Sequence, residues 1–216
     1  MDKGQEAMAA KSSKASISKG SQIRAAAGRL FLSQGYAATS MDSIAAAAGV
    51  SKATLYAHFR SKQLLFESMV QERFRAEMEE NLKPLQLGDD PFEGLAAVGR
   101  RFLAMLMSPD ALAAFRLVLA ESVRLPELGE AFYRSGPART LEMVTAYIEY
   151  LNERGRLRVE DPALGADQFL GMLKNKGHMK CLLGLAPLPS AADIDLLARA
   201  AARLFVAGNA PARPKL

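Results

Sequence analysis

One cysteine, Cys181, no tryptophan and only two histidines set the first limits on this 216-residue chain. A lone cysteine makes neither an intramolecular disulfide nor a multi-cysteine zinc site, so a reducing, cytoplasmic setting is expected and no metal site. Uncharged apolar runs are short, Phe102 to Met107 among the longest, against the ~20 residues that span a bilayer. The stretch MDKGQEAMAAKSSKASISKGS has no apolar segment of signal-peptide length, and no membrane partner is expected. Catalytic signatures are missing as well. There is no Walker phosphate loop, no GxGxxG, no HExxH and no GxSxG, so the chain is read as a non-enzyme without a cofactor.

Half of the residues are apolar and 24% are charged, enough to bury a core and too apolar for a disordered chain. The length fits one large domain or a small domain joined to a larger one. Charge is unevenly placed. Residues 1–62 hold nine basic and three acidic side chains, a net of +6, whereas residues 63–216 hold 19 and 20, a net of −1. A small N-terminal unit that meets a polyanion explains such segregation.

No stretch alternates as a strand does, and the expected class is all-α with about nine helices. Residues 1–17 read as a disordered basic arm. Ile23, Ala26, Ala27, Leu30 and Phe31 share one face of a helix that stops at Gly35; Ser40 starts a second helix ending at Gly49, and Ser51 a third. Ser61 opens a long helix carrying Phe66, Val70, Phe74 and Met78, closed near Pro84. Further segments are expected at 91–107, 109–123, 126–153, 163–184 and 190–207, punctuated by Pro91, Pro109, Pro126, Pro162 and Pro187/Pro189. The expected organisation is a helix-turn-helix unit at 18–63, a helical ligand-binding and dimerisation domain at 64–209 and a tail at 210–216.

Residues 37–64, AATSMDSIAAAAGVSKATLYAHFRSKQL, read as helix, tight turn and helix. Ala45 to Ala48 permit close helix approach, Gly49 supplies the turn, and Val50 and Leu55 join a common core. Basic, hydroxylic and aromatic groups remain outside on a short helix that fits the ~12 Å major groove. Lys52 suits a phosphate or a guanine edge, Thr54 a base edge, and Ala53, after the cap Ser51, permits close approach. Tyr56, His58 and Lys62 suit the DNA backbone, and Thr39 and Ser40 a second phosphate.

This run resembles the TetR family of bacterial transcriptional regulators, in Thr39, Ile44-Ala45, Gly49-Val50, Leu55-Tyr56, His58-Phe59 and Lys62. The later segment FRLVLAESVRLPELGEAFYRSGPARTLEMVTAYIEYLNERGRLR and residues 166–185 look like the AefR-like subgroup, with Lys174-Asn175-Lys176-Gly177 more basic than that pattern. The resemblance implies a ligand-responsive repressor, a homodimer on a palindromic double-stranded DNA operator, released by a small hydrophobic or aromatic effector. Two reading heads also multiply the specificity of one short helix.

Candidate effector contacts are Phe102, Met105, Met107, Phe115, Leu119, Glu121, Tyr133, Met143, Tyr147, Met172 and His178; at helical spacing such residues also read as plain core. A dimer seam is expected from Ile194, Leu197, Ala201, Leu204 and Phe205 with Phe169, Leu170 and Leu173. Cys181, one turn after His178, reads as a small buried hydrophobe. Lys174, Lys176 and Lys180 read as a solvated face or as a site for an anionic ligand. Two alternatives stand beside the repressor: a small-molecule binder or enzyme with a vestigial head, and a nonspecific architectural DNA binder.

Overall fold

The computed structural model describes residues 18–74 and 88–211. The expected basic arm, the continuation of the fourth helix with Met78, and residues 212–216 of the tail lie outside the described residues. Among the described residues the fold is all-α, as expected, with eleven helices: α1 (Lys19–Gln34), α2 (Met41–Ala48), α3 (Lys52–His58), α4 (Lys62–Phe74), α5 (Pro91–Leu106), α6 (Pro109–Glu121), α7 (Pro126–Ser135), α8 (Pro137–Glu153), α9 (Pro162–Leu173), α10 (Lys176–Leu182) and α11 (Ala191–Gly208).

Local chemistry explains most of the starts. Ser18, Ser40, Ser51, Asp90, Ser108, Asp161, Asn175 and Ser190 each accept a backbone N–H from the first turn that follows. Five helices begin with proline, whose missing N–H is not needed at that position. Two expected helices are each broken in two, which accounts for eleven rather than nine. The segment 126–153 breaks at Gly136-Pro137, where Gly136 leaves helical geometry (φ −128, ψ −75) and Pro137 starts afresh. The segment 163–184 breaks at Lys174 (φ −79, ψ 57), after which Asn175 caps α10 with its own side chain.

Two cores result. The larger joins α5, α8, α9 and α11 through Leu95, Phe102, Leu103, Ile148, Leu151, Phe169, Leu173 and Phe205. A Cβ on Gly99 would stand 3.0 Å from that of Ala198, so small residues bring α5 and α11 together. The smaller core is built by Ile23, Phe31, Tyr36, Ile44, Leu55, Phe59, Leu65 and Phe66, and it is closed by Val118, Leu128 and Ala131 from α6 and α7. The N-terminal three-helix head is thus docked on the larger unit through a shared apolar core.

This packing corrects the expected seam. Phe169, Leu170, Leu173, Ala201 and Phe205 are buried within their own chain, and Ile194 and Leu197 are half-buried against the same core. The rings of Phe169 and Phe205 meet edge-on at 5.6 Å, because these faces of α9 and α11 turn inward. Of the expected set only Leu204 is exposed, at 68%, and Leu196 (68%) and Leu164 (54%) are exposed with it.

Candidate nucleic-acid interface and ligand cavity

Helix α2 ends at Gly49 in the left-handed conformation (φ 63, ψ 35), which glycine adopts without a Cβ penalty, and Val50 N–H then donates to the Ala45 carbonyl at 3.1 Å. Ser51 restarts the chain as α3, its Oγ accepting from Thr54 N–H and lying 2.8 Å from Thr54 Oγ1. Leu55 is fully buried and Phe59 nearly so. These two anchors leave Ser51, Lys52, Ala53, Tyr56 and His58 exposed and Thr54 half-exposed, with exposed Arg60 just beyond. Lys52 Nζ donates to Asp42 Oδ2 at 2.6 Å, and this pair holds the lysine pKa above its ordinary value. Both partners face water, so the pair is weak and exchangeable. Ser40 is exposed, its hydroxyl engaged with Ser43 in a capping box.

Two residues expected at the phosphates are turned inward. Thr39 is 1% exposed and its hydroxyl donates to the Gly35 carbonyl at 2.8 Å. Lys62 donates to the carbonyls of Tyr36 (2.7 Å), Ala37 (3.3 Å) and Thr39 (2.9 Å), with Nζ 4.4 Å from the centre of the Tyr36 ring. An ammonium has three donors and no acceptor, so these carbonyls use all of them. Lys62 therefore ties α4 to the turn between α1 and α2 instead of reaching for DNA. Burial lowers its pKa, against a raising effect from Glu121, and the Tyr36 phenol is pushed up to about 12 by burial, Glu127 and Glu67.

A cavity of about 640 Å³ lies between the head and the larger core. Of the expected contacts, Phe102, Met105, Phe115 and His178 line it. The others do not. Leu119 and Tyr133 point to solvent, each one position past a residue that faces inward, Val118 and Phe132. Tyr147, Met143, Met172 and Met107 belong to the larger core, where Tyr147 Oη donates to the Gly88 carbonyl at 3.1 Å and burial raises its pKa. Glu121 sits beside Gly35 at the head, 3.5 Å from where a Cβ would be.

Sequence reasoning missed the head's own share of the wall. Arg24, Ala25, Gly28, Phe31 and Leu32 on α1 and Phe66, Met69 and Val70 on α4 line the cavity, with Ala111 and Ala114 on α6 and Thr140 on α8. The unusual run of small residues along α1 is the signal that was available. Phe31 and Phe66, whose rings meet edge-on at 6.1 Å, belong both to this wall and to the head core. Beside them Arg134 of α7 donates to Glu67 of α4 at 2.7 Å, a second tie between the two units. Among the described residues no cluster of three or more His, Cys, Asp or Glu suits a metal ion, and no single helix is long and apolar enough to cross a membrane.

Comparison with known proteins gives a consistent picture. Residues 23–69 match the family described as bacterial regulatory proteins, tetR family, and residues 93–209 match the AefR-like transcriptional repressor, C-terminal domain. A TetR-family regulator from Mesorhizobium loti is 32% identical, with a TM-score of 0.76 over 89% of this chain and 96% of that one. The flavonoid-responsive regulator FrrA is 34% identical, with a TM-score of 0.74 over 90% of this chain and 98% of that one. The transcriptional activator FasR of Mycolicibacterium smegmatis is 48% identical over 50 residues, a match spanning 23% of each chain.

Proposed function

The chain belongs to the TetR family of bacterial regulatory proteins, and from that premise we propose that it is a ligand-responsive transcriptional repressor whose α3 reads double-stranded DNA. The observation that carries the coupling is the double membership of Phe31 and Phe66 in the head core and the cavity wall. A hydrophobic or aromatic effector between α1 and α4 presses on the rings that hold α2 and α3 in place. It favours the head arrangement that does not fit two successive grooves, and bound DNA weakens the effector by the same factor.

Repression agrees with the matched C-terminal family, and an aromatic effector agrees with the flavonoid response of the FrrA relative. Two copies joined through the exposed face of Leu164, Leu196 and Leu204 present two α3 helices to a palindromic operator. The regulator reading is preferred to the enzyme reading because both matched families are transcriptional regulators. A cytoplasmic setting fits a DNA-bound role. The test is selection of genomic fragments by the purified protein at near-physiological salt, followed by footprinting. Protection of two related half-sites is expected; binding in which no fragment outcompetes bulk DNA contradicts the proposal.

A further inference from the structure

At the α9–α10 end of the cavity, the buried His178 and the exposed Lys174 stand beside Phe102 and Phe115, in a wall that elsewhere also carries Arg24, Arg29, Glu72, Asp110 and Thr140. His178 is 7% exposed, its ring meets that of Phe115 edge-on at 6.0 Å, and its Nε2 is buried without a hydrogen-bond partner. Lys174, one turn earlier across the break between the helices, places Nζ 5.9 Å from the centre of the Phe102 ring. No carboxylate lies within ion-pair reach of Lys174 among the described residues. Both side chains line the cavity with the two phenylalanines.

We propose that Lys174 and His178 form a polar recognition end of the cavity that selects an aromatic ligand bearing one acidic oxygen, a phenol or a carboxylic acid. This deepens the effector-cavity reading given above and rests on it. Burial, and then the charge of Lys174, lower the His178 pKa, so at neutral pH the imidazole offers one acceptor and one donor. A phenol gives its proton to the acceptor nitrogen while its oxygen accepts from Lys174. A carboxylate accepts from Lys174 and from the imidazole N–H. Either makes the hydrogen bond that His178 lacks and adds a charge-assisted one. The aromatic body follows from Phe102 and Phe115, and the volume of about 640 Å³ suits a small organic molecule.

The test uses the full chain and three probes of one shape: 2-naphthoic acid, 2-naphthol and 2-methylnaphthalene, titrated by probe fluorescence. The expected result is that one or both oxygen-bearing probes bind roughly tenfold or more tighter than the hydrocarbon, as one charge-assisted contact supplies. Which of the two is preferred identifies the acidic group. Lys174→Met and His178→Leu, with unaltered circular dichroism, each remove most of that preference, read as the ratio of oxygen-bearing to hydrocarbon affinity within the same variant. Equal binding of all three probes, or a preference that survives both substitutions, overturns the proposal while leaving the apolar cavity standing. Absence of binding by all three overturns the effector-cavity reading along with it.

Discussion

Helix α3 is seven residues long and displays its polar side chains to solvent in sequence order, whereas the cavity draws its wall from eight helices and from residues as far apart as Arg24 and His178. The first surface is fixed by a turn glycine, a serine cap and two buried anchors within about ten residues. The second exists only once both cores have formed. On the proposed reading, a substitution on the exposed face of α3 changes DNA binding with little effect on folding, and one in the larger core does the reverse.

That contrast is broken most severely by Phe169→Ala. The ring is fully buried against Phe205, and its loss costs about 3 to 5 kcal/mol of stability by cavity formation. Urea unfolding is expected to show the loss, while DNA affinity per folded molecule at low temperature stays near wild type. An affinity that fell in proportion to stability would mean that the two regions are not separable.

Lys62→Met sharpens the boundary between them. Charged hydrogen bonds to three carbonyls tie α4 to the head, so a loss of about 1 to 3 kcal/mol is expected. The slope of log affinity against log salt should be unchanged, because no phosphate contact is removed. A slope reduced by about one would return Lys62 to the DNA backbone.

The smallest effect concerns His178. Its folded pKa lies below the ordinary value, so the unfolded chain binds the proton more readily. Stability from the neutral imidazole is fully present above the ordinary histidine pKa, about 6.5, and is lost as pH falls through it toward the folded value. Lys174 is the charged group that acts on it. Between pH 7.5 and 5.5 the urea midpoint of the wild type should drop further than that of His178→Leu. Parallel curves would show that the imidazole titrates alike in both states.

The same contrast explains what was legible. All-α class, the α2–α3 turn and the buried role of Leu55 and Phe59 follow from signals carried within a few residues of where they act. The inward turn of Thr39 and Lys62 was not legible, since it depends on carbonyls released at the end of α1, some 25 positions before Lys62. Glu121, expected among the effector contacts, is brought by folding beside Gly35 at the head. The stripe on α11 was correctly apolar, but periodicity does not say whether its partner is α5 of the same chain or a second copy. Ala201 and Phe205 pack into the core that α5 shares, while Leu204 on the same helix stays exposed.

In the proposed function α3 reads bases and the rest of the head positions it. Fragment selection repeated with a Lys52→Ala, Thr54→Ala double variant tests this most directly. Bulk DNA binding is expected to persist at low salt while the wild-type fragment loses its advantage over competitors. Recovery of the same fragment, with the same advantage, would contradict it.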